Sequence, residues 1–182
     1  MSAPPATSFR VRDFRPEDLP ACRKLYVEGL LAGKLAENDT GTDIDDIAWA
    51  YMKPPGNHFW VAETVPGAAP NSDAGNGVPP GEVVGMIGVQ AHDSDCGEIR
   101  RLRVRADQRR RGIGSALVEA ALRFCQEKNY LKIQLDTFVD REAAIRLFEK
   151  FRFRHSRTRK VGEKELMYFY LDLYMGERTH AE

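Results

Sequence analysis

Apolar and charged residues alternate in Phe9-Arg-Val-Arg-Asp-Phe14, the period-two pattern of a half-buried strand. The period then lengthens: Leu19, Cys22, Leu25, Tyr26 and Leu30 recur at helical spacing behind Pro16, whose missing N–H suits a first helical turn. A polar stretch, Lys34 to Thr42, leads to a second predicted helix around Asp43–Met52, stopped by Pro54-Pro55-Gly56. His58 to Glu63 and Glu82 to Gln90 predict two neighbouring strands, joined across residues 65–81 by an exposed, mobile loop dense in Pro, Gly, Asn and Ser.

A further strand, Glu98 to Val104, runs into a glycine-containing turn and a helix ending near Asn129, a residue that tolerates left-handed backbone. Lys132 to Phe138 predicts another strand, and Ala143, Ala144, Leu147 and Phe148 mark the apolar stripe of a short helix. Two alternating runs, Phe151 to Arg159 and Glu165 to Leu173, predict an antiparallel pair. The sum is an α/β or α+β fold: a mixed, mostly antiparallel sheet of six to seven strands with helices on both faces. One domain over residues 9–175 is expected, with a loose leader at 1–8 and a tail at 176–182.

At 182 residues the chain is long enough for one well-cored domain. Lys plus Arg equals Asp plus Glu at 27 each, so no global field favours nucleic acid or an anionic membrane. No apolar run approaches the ~20 residues that span a bilayer. The three cysteines, Cys22, Cys96 and Cys125, lack metal-ligand spacing and read as free thiols in a reducing compartment, so a cytoplasmic location is expected. No His/Cys/acid grouping predicts a metal site.

The chemistry sits in Leu102 to Leu117, LRVRADQRRRGIGSAL. A helix start offers unsatisfied N–H groups and the positive end of the dipole, and Gly112 and Gly114 let that backbone approach a phosphate. Arg109, Arg110 and Arg111 add charge beside the same turn, making a diphosphate-bearing ligand sensible. Taken alone, glycines at a helix start also serve close packing, and a basic run is usually a solvated face. Leu117 stands where G-x-G-x-x-G needs its third glycine, and no G-x-x-x-x-G-K-[ST] loop exists, so dinucleotide and P-loop readings are weak.

The whole segment resembles the GCN5-related N-acetyltransferase (GNAT) superfamily, whose phosphate loop reads [RQ]-x-x-G-x-[GA]; Arg109-Arg-Arg-Gly112-Ile-Gly114 fits it. CGEIRRLRV (Cys96 to Val104) resembles the family's central strand, and AAIRLFEKFRF (Ala143 to Phe153) its A-I-x-L-Y-E-K-x-G-F ending. The resemblance implies the GNAT fold and direct acetyl transfer from acetyl-CoA to a primary amine of a small molecule or peptide in a ternary complex. It implies that the backbone of Leu102, Arg103 and Val104 pairs with the pantetheine arm. Amides and side chains from Arg109 through Ile113 to Ser115 would hold the pyrophosphate, with Phe148 packing against the coenzyme. Homodimerisation is a family-level expectation.

Amine transfer needs loss of a proton, because an alkyl ammonium has a pKa near ~10. Alternation places Glu98 on one face of its strand with Arg100, Leu102 and Val104, and the resemblance makes Glu98 the general-base candidate. Direct base, water relay, an ion pair with Arg100 or Arg101, and recognition of a cationic substrate all remain open. Phe148 stands where the family has a proton-donating Tyr; Tyr51, Tyr168 and Tyr170 are substitutes in principle only. Arg141 replaces a frequent Asn and Arg152 the K-x-G-F glycine.

The late basic run, Arg152 to Lys160, suits an exposed edge strand better than nucleic acid. Asp39, Asp43, Asp45 and Asp46 suit a helix start or attract a cationic amine, and His58 is a possible cleft residue. The competing readings are a noncatalytic acyl-CoA-binding sensor and an enzyme using a longer acyl group.

Overall fold

The alternating runs pair into one sheet. The computed structural model describes residues 8–30, 39–65 and 79–174; the expected leader up to residue 7, most of the 65–81 connector and the tail lie outside them. In chain order the elements are β1 (Phe9–Asp13), α1 (Leu19–Glu28), α2 (Thr42–Asp45), β2 (His58–Thr64), β3 (Val83–Ala91), β4 (Cys96–Val104) and α3 (Ile113–Glu127). Then follow β5 (Lys132–Phe138), α4 (Glu142–Lys150), β6 (Arg154–Val161) and β7 (Lys164–Asp172). The seven described strands lie in the order β1-β2-β3-β4-β5-β7-β6, and only β4 and β5 run parallel.

Each face of the sheet has its own core. Ile87, Val89, Ile99, Leu117, Val118 and Leu135 pack on the side of α3 and α4. Phe14, Cys22, Ile44, Tyr51, Phe59 and Met86 pack on the side of α1 and α2. Gly88 is needed here: a Cβ would stand 2.6 Å from Tyr51 Cε1 and 2.9 Å from Phe59 Cδ2. The two rings, 4.9 Å apart and edge-on, are therefore seated directly on the β3 backbone.

Three segments depart from the sequence-based expectation. The helix expected over 43–52 is broken into α2 and a separate turn of π-helix, Ala48–Met52. Asp46 leaves the helical region (φ −142°, ψ 77°), and its carboxylate accepts the Trp49 N–H at 2.9 Å, capping a new start instead of continuing the old helix. The strand expected from Phe151 begins only at Arg154, because Phe151 to Phe153 form the closing turn of α4. Arg152 takes φ 65° there, and the Phe153 N–H returns to the Phe148 carbonyl.

The third departure corrects the face assignment on β4. Met86 pairs with Arg103 and Gly88 with Arg100, so two β4 residues, Arg101 and Leu102, stand opposite Ile87 alone. This is a β-bulge, with Arg101 at φ 59°. Before it, Glu98 and Arg100 face the α1 and α2 side; after it, Leu102 and Val104 pack against the α3 core. The alternation that put all four on one face is thus reset by one residue.

A buried ionic cluster holds the bulge. The Arg101 guanidinium donates to Asp39 through Nη1 (2.6 Å) and Nη2 (2.8 Å), and to Asp43 through Nε (2.8 Å) and Nη2 (2.5 Å). Tyr51 Oη donates to Asp43 at 2.5 Å, and Tyr26 Oη to Asp39 at 3.1 Å. Burial pushes the Asp39 carboxyl up, but the hydrogen bonds and charge of Arg101 outweigh it and hold it at about 2. The Asp43 carboxyl is lowered by the same balance, with Tyr51 adding a hydrogen bond.

Two outcomes follow. Gly88→Ala should cost about 1–3 kcal/mol by overpacking, read as a thermal midpoint lower by roughly 3–10 °C. A carboxylate whose folded pKa is depressed stabilises the fold above its unfolded pKa of about 4 and ceases to do so as pH falls through its folded value. The midpoint of the wild-type protein should therefore drop between about pH 4 and 2, and Asp39→Asn should shallow that drop in pH-dependent melting curves.

Candidate functional site

Parallel pairing of β4 with β5 covers only Cys96 with Lys132, Gly97 with Ile133 and Glu98 with Gln134. Beyond that point no ladder joins them, although β4 continues to Val104 and β5 to Phe138. The strands open into a cleft whose β4 edge, from Leu102 to Val104, pairs with β3 on one side and has no strand partner on the β5 side, where alternate main-chain groups are left off the ladder.

The turn before α3 closes one end of this cleft. Arg109 is extended (φ −68°, ψ 162°), Arg110 is left-handed at φ 61°, and Gly112 is left-handed at φ 82°. Such alternation turns successive amides to one side. The first helical bond runs from Ala116 N–H to the Gly112 carbonyl, so the amides of Ile113, Gly114 and Ser115 point out of the helix end. A Cβ on Gly112 would meet nothing within 4 Å, so its glycine answers to backbone conformation alone. Gly114 is also a packing glycine: a Cβ would come 3.1 Å from Leu147 Cδ2 on α4.

Three guanidinium groups converge on the same end. Arg109 Nε donates to the Val104 carbonyl (3.2 Å), Arg103 Nη1 to the Leu102 carbonyl (2.8 Å), and Arg141 Nη2 to the Gly29 carbonyl (2.6 Å). Arg103 Nε is buried and has no hydrogen-bond partner among the described residues. Burial, then the charges of Arg141 and Arg101, push the Arg103 guanidinium down to about 9; burial and Arg109 lower Arg141. A cluster of like charges that lowers its own affinity for protons is chemically suited to an anion.

The cleft floor carries carboxylates. Register partners share a face, so Gln90, Glu98, Gln134 and Tyr170 lie in one row and Arg100 lies beside them. Glu98 is partly exposed, 3.8 Å from both His92 Nδ1 and Arg100 Nε. Asp136, two residues beyond Gln134 on the same face, was not singled out by sequence reasoning. It is open to solvent yet surrounded by protein, and burial followed by the charge of Glu98 holds its carboxyl above the usual range. The signal for it was the period of β5, which places it beside Glu98 once the parallel pairing is known.

Of the other predicted residues, Tyr168 and Tyr170 are the cross-strand partners of Asp136 and Gln134 on this same face, and the rest lie off the cleft floor. Phe148 is buried in the α3-side core, edge-on to Phe153 at 5.5 Å. Tyr51 lies buried beneath the wall formed by residues 39–45 and donates to Asp43. Tyr168 and Tyr170 line the open face of β7, with Arg157 and Lys132 stacked over their rings at 4.5 and 5.0 Å. His58 bonds Asp13 (2.9 Å) and stacks on Phe124, three strands from β5 and outside the cleft. Asp39 and Asp43 are engaged by Arg101 and are not free to attract an amine.

All three cysteines are buried, and burial pushes the Cys22 and Cys125 thiols up to about 12. The basic run lies on β6, an edge strand, as its composition suggested. Among the described residues no group of His, Cys, Asp and Glu could hold a metal ion, and no helix is long and apolar enough to cross a membrane.

Comparison with known proteins agrees with this geometry. The model of the acetyltransferase (GNAT) family matches residues 26–153. N-acetylaspartate synthetase of Rattus norvegicus is 36% identical over 141 residues, covering 77% of this chain and 42% of the relative. Human N-acetyltransferase 8 is 30% identical over 118 residues, covering 62% and 45%. The chain thus spans less than half the length of these curated relatives. Among solved structures, a GNAT-family acetyltransferase from Staphylococcus aureus superposes with a TM-score of 0.71 at 18% identity, covering 91% of this chain and 99% of its own. Ard1 from Thermoplasma volcanium gives 0.69 at 23% identity, covering 91% and 97%. With an open cleft between β4 and β5, a glycine turn at its end and a family match across most of the chain, the protein belongs to the acetyltransferase (GNAT) family.

Proposed function

We propose that this chain transfers acetyl from acetyl-CoA to the primary amine of a small molecule or peptide, without a covalent enzyme intermediate. The observation that carries the reading is the unpaired stretch of β4 facing β5, closed by the outward amides of α3 at one end and floored by Glu98 and Asp136. The coenzyme fits the residues present. Its amide-rich arm finds ladder groups on Leu102 to Val104, and its diphosphate finds amides from Gly112 to Ser115 with the charges of Arg109 and Arg141. Buried, weakly acidic thiols make poor nucleophiles, which favours direct attack by the amine.

In this reading the amine nitrogen attacks the thioester carbonyl carbon, a C–N bond forms, and the C–S bond breaks to release the coenzyme thiolate. The amine proton passes to Glu98 or Asp136, directly or through water. A carboxylate that resists ionisation is a stronger base once ionised, so Asp136 is matched to neutral pH better than an ordinary aspartate. Phe148 has no proton to give, and the thiolate takes its proton from solvent.

A carboxylate-bearing amine is the favoured acceptor. Relatives bear the name N-acetylaspartate synthetase, and Arg100 supplies a cation on the cleft floor, where it donates to Gln90 Oε1 at 3.0 Å and lies 3.8 Å from Glu98.

Coenzyme release should be seen with L-aspartate or another small amino acid in a panel of amino acids, polyamines and peptides. Tight acetyl-CoA binding with no turnover on any amine would instead identify a sensor, and turnover only with longer thioesters a different acyl transferase. Glu98→Gln and Asp136→Asn should each lower kcat/KM at neutral pH by about 10²-fold, with the loss shrinking above the acceptor's own pKa. Because a base works only when ionised and Asp136 titrates high, the acidic limb of kcat/KM should lie above about pH 4 and move down in Asp136→Asn. Small, pH-independent losses in both variants would remove the carboxylates from the mechanism.

A further inference from the structure

Residues 39–45 form a wall over the sheet face that carries Glu98, Arg100 and Asp136. The wall is short, since α2 is a single turn of four residues entered through a left-handed Gly41 at φ 68°; its one fully buried apolar anchor is Ile44, in the core with Phe59 and Met86. Its polar attachment to β4 is ionic. Arg101, with 6% of its side chain exposed, reaches both Asp39 and Asp43, and no other described cation bonds either carboxylate. The guanidinium also lies 5.0 Å from the centre of the Tyr26 ring, which ties α1 into the same cluster.

The backbone of Arg101 is equally occupied. It is the left-handed residue of the bulge, a conformation unfavourable for any residue with a Cβ, and it immediately precedes Leu102 to Val104 along the edge open towards β5. Glycine would suit the conformation better. What glycine lacks is a side chain able to make two bidentate pairs at once, and lysine lacks the fork.

Building on the acetyltransferase reading, we infer that Arg101 is a positioning residue that locks the acceptor-side wall, through Asp39 and Asp43, to the β4 bulge from which the coenzyme strand runs. One residue thereby sets the spacing between the wall against which the acceptor rests and the strand edge along which the thioester lies. Charges across the gap are close enough to be felt: Asp39 adds to the field that raises Asp136, and Arg100 to that which lowers Asp43. A loosened wall would leave the acceptor amine free to move off line, where a misplacement of about 1 Å costs on the order of 10²-fold in rate.

Arg101→Gly separates the two duties, since it keeps the bulge conformation and deletes the clamp. Asp39→Asn, which leaves the Asp43 pair in place, is the milder companion should Arg101→Gly fail to fold. Hydrogen exchange of the amides from Gly41 to Ile47 is expected to quicken on the order of tenfold in either variant, with amides of β4 unchanged. The dissociation constant for acetyl-CoA, by calorimetry, is expected to stay within about twofold, while the acceptor KM for L-aspartate or the best amine of the panel rises on the order of tenfold. Arg101→Lys should rescue only part of the exchange protection.

Unchanged exchange over Gly41 to Ile47 in a folded variant would overturn the inference. So would coenzyme affinity and acceptor KM worsening together in equal measure, the mark of a residue that merely supports the sheet. Should the wild-type chain acetylate no amine, the acetyltransferase reading fails, and exchange with coenzyme affinity still decides the clamp.

Discussion

Two carboxylates converging on the Arg101 guanidinium hold a strand in a conformation that its sequence would not choose. Everything downstream on β4 depends on that held kink. It turns Leu102 and Val104 into the α3-side core, leaves their main chain along the open edge, and aims the strand at the turn that starts α3. The arrangement is internally consistent in cost as well as geometry. A strained backbone persists only where surrounding contacts over-determine it, and four hydrogen bonds from the buried Arg101 to two partly buried acids do so here.

The cleft follows from a second constraint, the parallel pairing of β4 with β5. Parallel neighbours need a crossover, which α3 supplies, and the strands separate after three paired residues. Separation exposes ladder groups that would otherwise be satisfied within the sheet. At the same end the helix leaves amides unbonded and three arginines repel one another. Each feature alone is an unmet requirement; together they suit the elongated coenzyme of the proposed reaction, polar along its arm and anionic at its end.

The succession of strands and helices, the helix faces and the glycine turn before α3 were legible in the sequence because each rests on local periodicity or on a glycine with few alternatives. Lys132 to Phe138 is a strand by pattern and by structure, and Asn129 closes α3 at φ 59° as its side chain suggested. What was not legible depended on register between distant segments. Pure alternation cannot reveal a bulge, so Leu102 and Val104 were assigned with Glu98. Asp39 and Asp43 read as free acids because their partner lies about sixty positions away, and Asp136 was passed over because its neighbour Glu98 belongs to another strand. Arg152 hid a helix-closing turn for a related reason: the residue usual in left-handed backbone is glycine, and here arginine adopts it.

The buried cysteines have a practical corollary. A thiol reacts as its thiolate, and Cys22 and Cys125 titrate near about 12 in positions closed to reagents. In the proposed coenzyme-release assay, a chromogenic disulfide added to the folded protein therefore meets a low intrinsic background. The same shielding makes the protein tolerant of mild oxidants and alkylating agents while folded, so that thiol labelling doubles as a probe of unfolding.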